Sequence, residues 1–490
     1  MVPTKKKIKR NTTGNRSNKL KLNIFKLTPE KTKKKNLLLQ PNYIVTISRK
    51  NKFISFLHHN TKTKMSFEIT ILGSSGGPLE GSTCSILLKP ANISYHDIIN
   101  DNLPDQVLCI DAGSGMGKLT EIIHQETTTK TSYCNFLQYY PDCETVSYYY
   151  HPNVTITTPF SNFQPGRPIL HTQNIFNNLQ NYLISHSHLD HVCSVVINSA
   201  GFNKNMLNKI LYGSHYTINA MQQHLFNGKI WPNMPSFKIV NLNYLESNRS
   251  ERIGIYTVKM FDLSHGEFNK LTEDKEDAQH HSNSNSNSNN IWGKRYDRRR
   301  SSITTIPQNT SGLIIKNSEA LNHHYLSSAF LITLEVPCTT KEPPPSILVF
   351  GDFESDLTSK LSRNLFIWKS IAPLILRNQL KAIVLECSNC KEIAANELYG
   401  HLTPKLLIYE LKQLAHECKQ LDTATTSTEQ PLLGLNVIVN HVKEPIADPN
   451  QESQLHDPRK RILAELNKLN EIEKLGCNIS IALSGTSIIV

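Results

Sequence analysis

The sequence lacks any apolar run long enough to cross a membrane. In its 490 residues no window approaches the roughly 20 consecutive apolar residues that span a bilayer. The start of the chain also lacks the apolar core of a secretory signal peptide. These absences favour a soluble protein with no membrane partner. The length suits one large domain or two modest ones, and a hydrophobic content of 38% is sufficient for a core.

Regularly spaced cysteines are absent as well. Ten cysteines are scattered along the chain, whereas secreted, disulfide-stabilised domains carry them in dense frameworks. We therefore expect reduced thiols and a cytoplasmic location. Cys387 and Cys390 form one C-x-x-C pair, which can be redox-active or half of a zinc knuckle. Because no second pair completes a knuckle, two buried thiols are the favoured interpretation.

Positive charge is confined to one end of the chain. The formal net charge is +12, but residues 1–64 contain 18 Lys and Arg and one acid, Glu30, so the remaining residues carry a net −5. Nucleic-acid binding needs a basic surface on the folded part, and we therefore expect no nucleic-acid partner. Residues 1–64 also lack hydrophobic periodicity, which predicts a disordered leader.

Three interpretations of this leader remain open. It can be a patch for nuclear import or for an anionic surface, a transit peptide, or sequence upstream of the working start codon. Transit peptides favour Arg over Lys, which ranks that interpretation last. Met65 directly precedes the first convincing strand, predicted over residues 67–72, and this favours the third. A nuclear location is expected only if the leader acts as an import signal.

Residues 65–490 are predicted to form one α/β domain. Apolar runs bounded by glycines indicate buried strands, and amphipathic helices are expected near residues 404–417 and 458–474. Residues 273–311 break this pattern with a low-complexity stretch, QHHSNSNSNSNN, and a basic run, KRYDRRRSS. We interpret them as a solvated insertion, with His280 and His281 outside any metal site.

The segment LISHSHLDH ends an apolar strand with potential metal ligands. If the backbone stays extended after Ser185, His186, His188 and Asp190 point to one side, and His191 reaches a neighbouring point. Imidazoles and a carboxylate are ligands that zinc accepts. The alternative is a polar, solvated loop, but the LIS strand end supplies the buried support that a metal site needs.

Three further residues come at the ends of apolar runs and can complete a site for two zinc ions. His265 follows YTVKMFDLS, Asp352 follows SILVFG, and His441 follows LNVIVN. A carboxylate at the position of Asp352 can bridge two ions. A lone histidine at a strand end is usually structural, so the shared placement of the three residues is the stronger evidence.

Two motifs that would indicate other activities have weaker support than the metal site. Residues 112–118, AGSGMGK, approach a phosphate-binding P-loop, but Leu119 stands where Ser or Thr would bind magnesium. Glycines at 113, 115 and 117 are better explained by a tight turn after Asp111. The G-x-S-x-G spacing of a serine hydrolase occurs at residues 73–77, GSSGG, but the run CSILLKP that follows indicates a strand and not the helix of a nucleophile elbow.

The pattern H-x-H-x-D-H, followed by His265, Asp352 and His441, resembles the metallo-β-lactamase superfamily. The resemblance implies a four-layer αββα sandwich with a dinuclear site at one edge of two packed sheets. It also implies two ligand sets bridged by Asp352, namely His186, His188 and His265 for one zinc, and Asp190, His191 and His441 for the other. Manganese or iron could substitute for zinc.

Further motifs resemble one family of this superfamily, the class II cyclic-nucleotide phosphodiesterases of the low-affinity type found in fungi. They run in order from about Phe67 to Val490: FEITILGSSGGP, IDAGSGMGKL, HSHLDHVCS, HLFNGKIWPN, VFGDFESD, ECSN, GHLTP and VNHVK. The IWP segment and GHLTP select the family, whereas H-x-H-x-D-H identifies only the superfamily. The sequence departs from the family mainly at 273–311, close after His265, which leaves the rim of the site undefined.

The resemblance implies a catalytic domain that hydrolyses 3′,5′-cyclic nucleotides, cyclic AMP and also cyclic GMP, to nucleoside 5′-monophosphates. Asp190 is expected to bind zinc and orient the attacking hydroxide, and His401 to protonate the departing 3′ oxygen. Alternatively, His401 is an N-cap-like residue before the helix at Pro404. An RNA-processing nuclease of the same superfamily would need a basic channel, and a non-catalytic zinc-stabilised scaffold predicts a closed, four-coordinate site. The sequence does not indicate the oligomeric state.

Overall fold

A computed structural model describes residues 66–267, 324–335, 343–390, 397–421, 429–444 and 456–490. The predicted leader at 1–64, the insertion at 273–311 and the two histidines within it lie outside these ranges. The described strands form two mixed sheets, one of eight strands and one of seven.

The first sheet is built from the N-terminal half of the fold and the last strand. Its strands are β1 (Phe67–Gly73), β2 (Ser85–Pro90), β3 (Leu108–Ile110), β4 (Thr155–Thr157), β5 (Asn181–Leu183), β6 (Lys209–Gly213), β7 (Val240–Tyr244) and β15 (Ser487–Ile489). They lie in the order β4-β15-β1-β2-β3-β5-β6-β7. The pairs from β4 to β3 are antiparallel, and β3, β5, β6 and β7 are parallel to one another.

The second sheet contains the other strands of the described ranges. They are β8 (Ser250–Ile253), β9 (Tyr256–Glu267), β10 (His324–Leu334), β11 (Ser346–Phe350), β12 (Leu380–Glu386), β13 (Asn436–Asn440) and β14 (Asn478–Ile481). Their order is β14-β13-β12-β11-β10-β9-β8. Strands β8 to β11 pair antiparallel, and β11 to β14 pair parallel, so the carboxyl ends of β11, β12 and β13 meet at one edge.

Helices follow most of the parallel strands. They are α1 (Tyr95–Asn100), α2 (Met116–Thr129), α3 (Pro168–Asn178), α4 (Leu189–Asn198), α5 (His215–Ala220), α6 (Asp356–Ser359), α7 (Arg363–Leu376), α8 (Pro404–Leu421) and α9 (Pro458–Ile472). Three of them begin at proline, whose fixed φ suits the first turn of a helix. Asp457 caps α9, because its side chain accepts a hydrogen bond from the Arg459 backbone N–H. The predicted helices near 404–417 and 458–474 are confirmed.

Side chains of the first sheet alternate between its two faces, and this alternation separates two hydrophobic cores. Ile69 and Leu88 share one core with residues of the second sheet, such as Phe330 and Val384. Residues on the opposite pleat, such as Leu87, pack in a separate core beneath α1, α2, α3 and α4. Helices α7, α8 and α9 pack with the second sheet. The fold is therefore the four-layer αββα sandwich of metallo-β-lactamase type, as predicted.

All described residues belong to one unit, Lys62–Val490. Within it, no described helix is both long and apolar enough to cross a bilayer. The nine cysteines of the described ranges are free, with Cys387 buried and Cys390 half-buried. The C-x-x-C pair is thus unbridged.

Candidate metal centre

The histidine cluster lies where β5 passes into α4. His186 follows the strand, His188 is the N-cap of α4, and Asp190 and His191 lie in its first turn. The expected extended backbone therefore ends at His188. Helix is favoured beyond it because Val192, Val195 and Val196 recur at helical spacing and are buried. The helix turn, rather than strand alternation, brings Asp190 and His191 to the site.

This helix start packs directly against the glycine turn after β3. A Cβ at Gly113 would lie 1.8 Å from the Asp190 carbonyl oxygen, so only glycine fits there. The left-handed residue of the turn is Asp111 itself, with φ 53°. Gly113 therefore permits the close approach of α4 to the turn after β3.

The second sheet supplies the other three predicted ligands. Asp352 lies two residues after β11, and His441 directly follows β13, as predicted. His265 lies inside β9 and not after it, because β9 continues to pair with β10 as far as Glu267 and His324. All three side chains are buried.

Asp352 lies at the centre of the predicted ligands. Its Oδ2 is 3.7 Å from Nε2 of His186, 3.7 Å from Nε2 of His265 and 3.0 Å from Nε2 of His441. Its Oδ1 is 3.3 Å from Nε2 of His191. The seven predicted ligands fall into two groups, each with ligand atoms within 4.8 Å of one another: His186, His188 and His265, and Asp190, His191, Asp352 and His441.

The chemistry of these groups fits divalent cations. The buried Nε2 of His186 has no hydrogen-bond partner among the described residues. Burial lowers the pKa of His186 well below its usual range and that of His265 to about 3, so both rings are neutral and free to ligate. Although burial opposes it, Asp352 raises the pKa of His441 to about 10. Without a cation, the negative charge of Asp352 is thus balanced by a proton on the His441 imidazole. A bound metal ion would replace that proton.

Hydrogen bonds to the outer ring nitrogens orient the imidazoles. Nδ1 of His191 lies 2.8 Å from Asp111, whose carboxylate also accepts from the Ser185 backbone N–H and hydroxyl at 2.7 and 2.8 Å. Nδ1 of His265 lies 3.0 Å from the Gly400 carbonyl oxygen, and Nδ1 of His441 lies 2.9 Å from the Ser388 hydroxyl. These contacts direct the Nε2 atoms towards Asp352.

His401 lies beside the ligands and pairs with a buried carboxylate. Its Nδ1 lies 3.1 and 3.0 Å from the two carboxylate oxygens of Glu386, the last residue of β12. The His401 side chain thus bonds to Glu386. The His401 ring is 4.8 Å from the His265 ring and 5.2 Å from the His441 ring, centroid to centroid. Glu386 also accepts from the Phe353 backbone N–H at 2.8 Å, which fixes its position.

Sequence reasoning missed Asp111 and Glu386. Both are acids at the ends of apolar runs, VLCI and KAIVL. This is the signal by which His265, Asp352 and His441 were found, so the same rule would have identified both.

Buried histidines and carboxylates gathered at one edge of an αββα sandwich define a metal-dependent hydrolase of the metallo-β-lactamase fold. A sequence profile of the class-II cAMP phosphodiesterases matches residues 97–485. The chain therefore belongs to the class-II cAMP phosphodiesterase family, whose fold implies a divalent metal.

Individual relatives agree with this assignment. The chain is 99% identical over 426 residues to a 3′,5′-cyclic-nucleotide phosphodiesterase of Candida albicans, which covers 87% of this chain and 100% of the relative. It is 29% identical over 438 residues to 3′,5′-cyclic-nucleotide phosphodiesterase 1 of Saccharomyces cerevisiae, covering 86% and 98% of the two chains. The crystal structure of unliganded yeast PDE1 superposes with a TM-score of 0.64 at 26% identity, covering 87% of this chain and 100% of that one.

Proposed function

We propose that the chain hydrolyses cyclic AMP and cyclic GMP to nucleoside 5′-monophosphates at a dinuclear zinc site. The observation that carries the proposal is the position of Asp352, whose carboxylate lies within 3.7 Å of imidazole nitrogens from both ligand groups. A carboxylate with two oxygens between two groups of ligands is suited to bridge two cations.

Each group has the composition of a zinc site. His186, His188 and His265 offer three imidazoles to one ion, and Asp190, His191 and His441 offer two imidazoles and a carboxylate to the other. Two bound divalent ions would neutralise charge on the phosphate and lower the pKa of the attacking water. Manganese or iron is also compatible with these imidazole and carboxylate ligands.

Asp190 is positioned to handle the proton of the attacking water. Its side chain is 28% exposed, whereas the side chain of Asp352 is 3% exposed, so Asp190 is the carboxylate that substrate and solvent reach. Asp190 Oδ2 lies 3.1 Å from His441 Nε2, so both atoms could bind the same zinc. The second oxygen of Asp190 would then orient the attacking water.

His401 would donate a proton to the departing 3′ oxygen. Glu386 binds Nδ1 of the ring, so the opposite nitrogen, Nε2, is the one left to exchange a proton with substrate. A second role is compatible with the geometry, because His265, Asp352, Glu386 and His401 also lie close enough together to hold a cation. Metal analysis of a His401 variant separates an acid from a ligand.

The two alternatives are less well supported. A purely structural zinc site uses about four protein ligands in a closed shell, whereas seven candidate ligands converge here and Asp190 is partly exposed. An RNA-processing nuclease needs a basic surface, and the chain beyond residue 64 carries a net −5.

The test is turnover with product identification. Purified full-length protein, with its metal content measured, is incubated with cyclic AMP, cyclic GMP and a structured RNA. We expect 5′-monophosphates from both cyclic nucleotides, intact RNA and two zinc ions per chain. Cleavage of the RNA alone would establish the nuclease, and bound zinc without any turnover would establish the scaffold.

A further inference from the structure

Tyr399 is the exception in a buried segment next to the metal centre. Every other residue from 398 to 404 is buried, whereas Tyr399 is 75% exposed. Its backbone also has φ 50°, in the left-handed region that bulky residues rarely adopt. An exposed aromatic ring on a strained backbone is unfavourable for the isolated fold, and such strain concentrates at binding sites.

The residues around Tyr399 fix its backbone to the site. A Cβ at Gly400 would lie 2.5 Å from the His265 carbonyl carbon, so the two segments are in direct backbone contact. The Gly400 carbonyl oxygen also pairs with Nδ1 of His265 at 3.0 Å, and the following residue is His401. Tyr399 therefore directly precedes Gly400, the partner of a predicted ligand, and lies two residues before the predicted acid His401, with its own ring exposed.

We infer that Tyr399 forms a nucleobase-binding subsite, in which its ring stacks on the base of the cyclic nucleotide. This inference rests on the proposed function. The charged groups of the centre account for recognition of the phosphate, and the remainder of the substrate is a ribose carrying a flat aromatic base. A tyrosine ring is a rigid platform with few rotamers, and every base has a π-face to place on it.

The matched test compares three variants. Tyr399→Asn removes the ring but keeps the backbone, because Asn tolerates left-handed φ better than other side chains. Tyr399→Phe keeps the ring. Tyr139→Asn is the control, since Tyr139 is 76% exposed in a turn of the first half of the chain and has no place in the proposed subsite. Each is assayed on cyclic AMP and on a base-free ribose 3′,5′-cyclic phosphate with a methoxy group in place of the base.

For Tyr399→Asn we expect KM for cyclic AMP to rise roughly 5- to 150-fold, with kcat, zinc content and melting temperature unchanged, and no change on the base-free substrate. Tyr399→Phe and Tyr139→Asn should behave as wild type. An unchanged KM for cyclic AMP, or an equal loss on the base-free substrate, would overturn the subsite. A wild-type protein that hydrolyses neither substrate would instead refute the proposed function, and the subsite with it.

Discussion

Removal of the His401 side chain tests the proposed acid. A ribose 3′ alkoxide is a poor leaving group, so loss of a positioned proton donor should slow cyclic AMP hydrolysis by roughly 10²–10⁴-fold, about 3–5 kcal/mol of transition-state stabilisation. His401 is not among the predicted zinc ligands, so His401→Ala should keep two zinc ions. On bis(p-nitrophenyl) phosphate, whose nitrophenolate leaves without protonation, the same variant should lose far less activity.

The Glu386 carboxylate provides an internal check on this reasoning. Glu386→Gln keeps an oxygen for the Phe353 N–H but presents an amide to Nδ1 of His401. We expect a loss on cyclic AMP of roughly 10- to 100-fold, as for other residues that orient a functional histidine. Because both changes act on one proton donor, the double variant should be no worse than His401→Ala. Equal losses on both substrates, or a missing zinc ion in His401→Ala, would refute the acid assignment.

Three further outcomes are expected. Asp352→Ala should lose nearly all activity and bind clearly fewer than two zinc ions by elemental analysis, since the bridge serves both groups; two tightly held ions in this variant would contradict the bridge. A chain without residues 1–64 should keep the activity and melting temperature of the full chain, because the basic charge is segregated there; aggregation or a lower melting temperature would count against it. Burial raises the pKa of Glu126 from 4.5 to about 8. Because the unfolded chain releases this proton first, the free energy of unfolding should fall as pH rises across that interval, by up to a few kcal/mol. Denaturant titrations at several pH values measure this free energy, and Glu126→Gln should flatten its decline with pH. An identical pH profile in the variant and the wild type would disprove the buried neutral acid.

The ligands at strand ends were predictable, because a residue type that binds metals stands where an apolar run ends. An apolar run followed within two residues by Asp or His, as at Asp352 and His441, marks a side chain at a sheet edge without knowledge of the pairing. The bounds of β9 were not predictable, since its length is set by β10, which follows the insertion. The helical start at Leu189 was hidden because HSHLDH fits extended backbone as well. The roles of Asp111 and Glu386 depend on which histidine each one contacts, and only the three-dimensional arrangement gives those partners.

The two sheets contribute unequal but complementary parts of the centre. His186, His188, Asp190 and His191 are attached to the first sheet, and His265, Asp352 and His441 to the second. Neither sheet alone holds a complete ligand group, so tight metal binding requires both to be folded and docked. A bound divalent metal would then act as a ligand of the native state, and each tenfold increase in its free concentration above its dissociation constant should add about 1.4 kcal/mol per bound ion to the free energy of unfolding. Metal supply in the cell would thereby set how much of this enzyme survives as folded protein, as well as how fast it works.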